Sequence, residues 1–109
     1  MSASPEFVDY VHELLRPLGD LKGARFFGGY GLKYGTRQFA MIMGNTLYFC
    51  VDATSRPAFE ARGMQPFSYT TKKGRVLVRK YYSAPEELFE DPKQLVRWAK
   101  QAIAAAQGA

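Results

Sequence analysis

The amino-acid sequence predicts a single α+β domain of two layers, ordered α-β(3)-α-β(2)-α around an antiparallel sheet. The chain has 109 residues, which is the size of one domain, so residues 1–109 are taken as one unit. Its hydrophobic share of 47% and charged share of 23% are those of an ordinary globular protein. Short strand-like runs follow one another through short turns, and strands connected in this way pair antiparallel.

The first helix is predicted to begin at Ser4-Pro5 and to stop at Arg16. Serine is a good N-cap residue, and proline fits the first helical position. Pro17 disfavours helical geometry at the residue before it, which ends the helix. Between these limits the apolar residues recur with a period near 3.6, which is typical of an amphipathic helix: Phe7, Val8, Val11, Leu14 and Leu15.

A glycine-rich stretch over residues 26–35 leads into the first predicted strands. Its spacing differs from that of dinucleotide-binding loops, and it runs into a strand rather than a helix. We therefore interpret the glycines as places where a strand bulges or where the backbone is closely approached. Two strand-like runs follow, residues 38–43 and 46–51, and Gly44-Asn45 between them predicts a tight hairpin.

The second half of the chain again has a predicted helix followed by predicted strands. Residues 52–63 predict a short helix that ends at Gly63. An extended stretch begins at Pro66, Lys73-Gly74 marks a turn, and residues 76–82 form a strand rich in β-branched and aromatic side chains.

The last third is predicted to be helical. Ser83 and Glu86 have the spacing of a capping box, which predicts a helix start there. Asp91-Pro92 then begins a longer helix that ends at Gly108, with Trp98 expected to anchor it to the sheet.

The sequence offers no combination of residues for catalysis, a metal or a cofactor. His12 is the only histidine and Cys50 the only cysteine, so one chain cannot form a metal site from nitrogen and sulfur ligands. Any catalytic nucleophile activated by a histidine would depend wholly on His12. We interpret His12 as a half-buried structural residue and Cys50 as a small buried hydrophobe. The expected protein is therefore not an enzyme, and it binds neither a metal nor a cofactor.

The sequence also predicts where in the cell the protein lies. The longest apolar runs have five residues, far fewer than the roughly 20 that a membrane helix needs. The first residues are neither basic nor apolar, so no secretory signal is predicted. A single cysteine also excludes an internal disulfide, and we expect a cytoplasmic protein without a membrane partner.

The net charge of +5 lies entirely in the second half of the chain. One acid-free stretch, residues 62–80, supplies a candidate basic partner surface, for nucleic acid or an acidic protein. The simpler interpretation is a solvated strand–turn–strand whose cations protect a sheet edge. The tyrosines along the predicted strands also admit two roles, in the core or in stacking on bases. The six basic residues are Arg62, Lys72, Lys73, Arg75, Arg79 and Lys80.

Seven short motifs follow one another over residues 25–106. They are Phe27-Gly-Gly-Tyr-Gly-Leu, Phe39-Ala-Met-Ile, Leu47-Tyr-Phe-x-Val-Asp52, Phe59-Glu-Ala-x-Gly63, Pro66-Phe-x-Tyr69, Tyr81-Tyr-x-x-Pro85-Glu-Glu and Leu95-x-x-Trp98-Ala. In this order and at this spacing they resemble the N-terminal domain of the TfoX/Sxy family.

This resemblance implies the same α-β(3)-α-β(2)-α order, similar to secretion-chaperone-like folds, and a link to bacterial natural competence. Members look like co-regulators that help the cyclic-AMP receptor protein at a subset of promoters, without catalysis, cofactors or metals. The resemblance transfers no functional residue. Competence regulators of this family carry a second, C-terminal domain, so this chain is expected to be a stand-alone N-terminal domain.

Two hypotheses about function follow. The leading one is a non-enzymatic regulatory module that binds a protein, such as the transcription machinery. An open sheet leaves edges to cover, so this hypothesis includes a strand-edge or sheet-face homodimer. The alternative is direct nucleic-acid binding through the basic residues of the 62–80 stretch.

Overall fold

The computed structural model of the chain describes residues 3–26 and 28–108; Phe27 of the glycine-rich motif and the terminal residues of the 1–109 unit lie outside the described residues. Two 3-10 turns lie at Arg16–Leu18 and Glu86–Glu90. The helices and strands are α1 Pro5–Leu14, β1 Lys22–Phe26, β2 Gly29–Tyr34, β3 Arg37–Met43, β4 Thr46–Cys50, α2 Arg56–Ala61, β5 Pro66–Thr71, β6 Gly74–Ser83 and α3 Pro92–Gly108.

The described residues form one antiparallel sheet with the strand order β1-β2-β3-β4-β6-β5, and this confirms the predicted α+β fold class. The number of strands differs from the prediction, because four strands precede α2 instead of three. The additional strand is β1, in which every residue is exposed. An edge strand without buried positions lacks the alternation of apolar and polar residues by which strands are recognised in sequence.

The start of α1 and the β3–β4 turn form as predicted. The Ser4 hydroxyl accepts a hydrogen bond from the backbone N–H of Phe7 at 3.2 Å, as an N-cap residue does. Gly44 adopts a φ of 62°, which the hairpin turn requires and glycine tolerates. His12 is half-buried, and its Nε2 lies 3.0 Å from the Tyr30 hydroxyl, so the histidine connects α1 with β2 as a structural residue.

The predicted capping box is wrong. Ser83 is the last residue of β6, and the turn that begins at Glu86 has no side-chain cap. The Ser83 hydroxyl instead contacts the Gln65 carbonyl at 3.4 Å, because the strand continues to that point. The long helix α3 begins at Pro92 as predicted.

The core lies between the three described α-helices and one face of the sheet. Cross-strand pairs Ala40–Phe49 and Phe49–Tyr82 place these side chains on that face. The ring of Phe59 in α2 packs against Trp98 of α3, with centroids 4.7 Å apart, so this tryptophan contact joins α3 to α2 and not to the sheet as predicted. The fully buried members from α1, the sheet and α3 include Val11, Leu32, Phe39, Ala40, Ile42, Phe49, Leu95 and Ala99.

Candidate interaction surface

The opposite side of the sheet is not covered by any helix of the described residues, and we call it the open face. Because side chains alternate along a strand, the pair Met41–Tyr48 points away from the helices that cover Ala40 and Phe49. Met41 is 5% exposed, and it is the one buried hydrophobic residue of the described chain outside the core cluster. The open face consists of Phe26, Met41, Met43, Tyr48, Phe67, Tyr69, Val76, Val78 and Tyr81.

Aromatic rings extend this face onto the β5–β6 hairpin. The ring centroids of Tyr48 and Phe67 lie 5.3 Å apart, and those of Phe67 and Tyr69 lie 6.3 Å apart. Val76 pairs directly with Tyr69 and adds a branched side chain to the same surface. Tyr69 is 48% exposed and Val76 36% exposed, so the apolar surface continues to the edge of the sheet.

Two glycines keep the central part of the open face shallow. A Cβ atom at Gly29 would overlap the Met43 side chain, and one at Gly31 would overlap Gln38. The glycines therefore let these two side chains lie along the sheet, which confirms their interpretation as points of close approach. Gln38 Nε2 donates a hydrogen bond to the Tyr81 hydroxyl at 3.2 Å and fixes its position on β6.

The tyrosine hydroxyls and the cysteine thiol near this face are neutral at physiological pH. Burial raises the pKa of both the Tyr48 and Tyr81 hydroxyls above 10.0, with the Gln38 hydrogen bond opposing the shift for Tyr81. Burial also raises the pKa of the Cys50 thiol, against the smaller opposite effect of Lys80. The buried cysteine is as predicted. The nine residues that define the open face therefore present hydroxyl, thioether and hydrocarbon groups without a charge, while Lys33, which pairs with Gln38, lies on the same side near the β1 edge of the sheet.

The six basic residues predicted as a partner surface occupy different surroundings. Arg62 is engaged within the domain, because its guanidinium lies 3.2 Å from the Glu87 carboxylate and 5.1 Å from the ring centroid of Trp98. Lys72 and Lys73 are exposed in the turn between β5 and β6.

The other three predicted cations lie along β6. Arg75 and Arg79 line a cavity of about 380 Å³ beside α2, together with Leu77. Arg79 and Lys80 line a second cavity of about 360 Å³. The structure therefore brings Arg75, Arg79 and Lys80 together in adjoining cavities, and it places Arg62 in contact with α3 instead.

Sequence reasoning missed two features of these surfaces. Arg56 lies in the second cavity, but in the sequence it follows a turn and precedes a proline, a pattern that indicates only a helix start. Val76 and Val78 were recognised as strand residues, but their pairing with Tyr69 and Phe67 on one face depends on the β5–β6 register. Phe67 and Tyr69 alternate with polar residues in β5 and indicate one apolar face there, but residues 76–78 of β6 are a continuous apolar run that gives no such signal.

Residues 3–26 and 28–108 contain neither a metal-binding cluster nor a membrane-spanning helix. No three histidine, cysteine or acidic side chains lie close enough together to hold a metal ion. None of the helices in this part of the chain is both long and apolar enough to cross a lipid bilayer.

The fold and the open face define a small α+β domain in which every described helix packs on one side of an antiparallel sheet. The sequence model of the TfoX N-terminal domain matches residues 13–106, and the chain belongs to this family. The family is a bacterial one of competence-related regulatory domains and is not known as enzymatic. No curated protein matches the chain.

Proposed function

We propose that this chain is a non-enzymatic regulatory module of the bacterial cytoplasm that binds a protein of the transcription machinery through the open face. One observation carries the proposal: an uncharged surface of tyrosine, phenylalanine, methionine and valine lies on the side of the sheet that no described helix covers. Interface cores are enriched in aromatic residues and methionine and depleted of charge. A continuous apolar patch on a small domain is typical of a binding site.

The TfoX N-terminal family supports the choice of partner. Its members resemble co-regulators of the cyclic-AMP receptor protein, so this receptor is the first partner to test. The purified chain is added to the receptor on a fluorescently labelled promoter duplex, and anisotropy gives the receptor's apparent affinity. We expect the chain to increase this affinity.

Adjacent residues of β6 supply a matched pair of variants. Val76 belongs to the open face, whereas Leu77 lines the cavity on the other side of the strand, and the two are 36% and 42% exposed. Val76→Lys should weaken the effect on the receptor at least tenfold, because it places a charge in the contact. Leu77→Lys should leave the effect within twofold. No effect of the native chain would exclude this receptor, and equal losses in both variants would exclude the open face.

Direct nucleic-acid binding is the second candidate. Lys72, Lys73, Arg75, Arg79 and Lys80 form no ion pair among the described residues, so their charges remain available for phosphates. If all five contact phosphates, the logarithm of the duplex affinity should fall with that of the salt concentration with a slope of about −4.5.

The duplex test measures anisotropy at several salt concentrations. The double variant Lys72→Glu, Lys73→Glu should weaken binding strongly and make the salt slope shallower. Arg37→Glu removes an exposed cation at the start of β3 and is the control. Absence of duplex binding at low salt would exclude this candidate and leave the protein-binding proposal untouched.

A further inference from the structure

A cationic pocket lies where the loop after β4, strand β6 and the end of α3 meet. Its volume is about 360 Å³, which is within the range of small-molecule sites. Three cationic side chains line it, and we call it the Arg56 pocket. Its lining is Val51, Asp52, Arg56, Arg79, Lys80, Ala105 and Gly108.

The single acidic side chain of the Arg56 pocket does not pair with these cations. Asp52 Oδ1 accepts hydrogen bonds from the backbone N–H groups of Thr54 and Ser55, at 3.0 and 2.9 Å. These bonds and the Ser55 hydroxyl lower the pKa of Asp52, so the carboxylate is charged, but its hydrogen bonds stabilise the turn instead of neutralising the cations. The described ion pairs of the chain involve Arg16 and Arg62 and none of the pocket cations.

Among residues 3–26 and 28–108, the positive charge that lines the pocket exceeds the negative charge that lines it. The C-terminal end of α3 contributes about half a negative charge through the helix dipole. Together with Asp52 this leaves an excess of about one and a half positive charges from Arg56, Arg79 and Lys80. In addition, Arg56 Nε is buried and has no hydrogen-bond partner among the described protein groups, which is a costly arrangement for a charge-bearing donor.

The cavity beside α2 that is lined by Arg75 and Leu77 adjoins the Arg56 pocket and shares Arg79 with it. Its volume is about 380 Å³, and its polar lining includes Arg75, Glu60 and Tyr82. The Tyr82 hydroxyl donates a hydrogen bond to Glu60 Oε2 at 3.0 Å, which leaves the other carboxylate oxygen to accept from a ligand. Cations for an anionic group therefore lie beside an acceptor for hydroxyl groups.

We propose that the Arg56 pocket binds the phosphate group of a small phosphorylated molecule whose hydroxyl groups reach Glu60 in the adjoining cavity. Guanidinium groups match phosphate oxygens through paired hydrogen bonds, and two of the three cations are arginines. The site does not use the open face, so it is independent of the protein-binding proposal, whereas it shares Arg79 and Lys80 with the nucleic-acid candidate.

Isothermal titration calorimetry with ribose 5-phosphate tests the proposal on the full chain. We expect a dissociation constant of about 1 mM or lower and no heat of binding with ribose, which lacks the phosphate. Arg79→Gln should weaken binding at least tenfold. Arg37→Gln removes one exposed arginine at the start of β3 and should leave the dissociation constant within twofold.

A second variant and a duplex titration separate the alternatives. Glu60→Gln should weaken ribose 5-phosphate binding but should not weaken inorganic phosphate binding, because only the sugar reaches Glu60 and the loss of a carboxylate near Arg79 favours an anion. Absence of ribose 5-phosphate binding at 10 mM (about ten times the expected constant) would overturn the proposal, as would equal losses in Arg79→Gln and Arg37→Gln. Arg79-dependent binding of a DNA duplex without binding of ribose 5-phosphate would assign the cations to nucleic acid and overturn it too.

Discussion

Tyr82 is the residue where the core and the polar cavities meet. Its side chain is 2% exposed, and its ring lies 6.1 Å from that of Phe59 between centroids. Burial is the main cause that raises the pKa of its hydroxyl above 10.0, and the hydrogen bond and charge of Glu60 raise the pKa further. The positive charges of Arg56 and Arg79 have the opposite, smaller effect. The folded chain therefore favours the protonated hydroxyl, whereas the unfolded chain releases its proton at the ordinary pKa.

The direction of this shift predicts a loss of stability in alkali. The Tyr48, Tyr81 and Tyr82 pKa values are all raised from 10.0 and that of Cys50 from 9.0, so their contributions are complete below about pH 9. Above that pH the unfolded chain loses protons that the folded chain retains, and the free energy of unfolding falls until the folded pKa values are passed. Urea denaturation from pH 8 to 11 should show this decline.

The variant Tyr82→Phe separates one contribution from the others. At pH 8 it should lower the free energy of unfolding by about 0.5–1.5 kcal/mol, because the hydrogen bond to Glu60 is lost. Its decline in alkali should be shallower than that of the native chain, since one of the shifted groups is gone. An identical decline in both proteins would contradict the assignment to Tyr82.

At the scale of elements, the sequence predicts those whose local pattern matches their surroundings. Helix α1, the β3–β4 hairpin and α3 have caps, turn residues or apolar stripes, and they lie where these signals place them. Strand β1 has no such signal, because its residues face solvent on both sides. The Gln38–Tyr81 hydrogen bond joins residues 43 positions apart, and the open face depends on such long-range register.

Helix α3 contributes to stability through one side only. Leu95 is fully buried in the core, whereas Arg97 on the same helix is exposed and forms no ion pair among the described residues. Leu95→Ala should lower the free energy of unfolding by about 2–5 kcal/mol, because it leaves a cavity under the helix. Arg97→Ala should change it by no more than about 0.5 kcal/mol. Chemical denaturation of both variants checks the difference, and similar losses would contradict the one-sided packing.

At the scale of the whole molecule, charge and apolar surface are separated. The residues of the open face carry no charge, while the net charge of +5 comes from the second half of the chain and includes the cations of β6 that line the cavities. The sequence predicted the excess charge and the strand residues but not this separation. Which side of β6 each residue occupies depends on its pairing with β5 and β4, which no local pattern contains.

This separation gives opposite salt dependences for two kinds of association. We propose that the open face, when no other protein occupies it, also joins two copies in a two-fold dimer whose contact is formed by uncharged side chains, while the net charges of the two copies repel each other. Added salt screens the repulsion, so the dimer should become stronger between about 0.05 and 0.5 M salt, whereas phosphate binding becomes weaker. Size-exclusion chromatography with light scattering measures the dimer fraction at both concentrations.

Val76→Lys should abolish the dimer and Leu77→Lys should not. A dimer that weakens with salt, or that tolerates Val76→Lys, would place the contact on a charged surface instead of the open face.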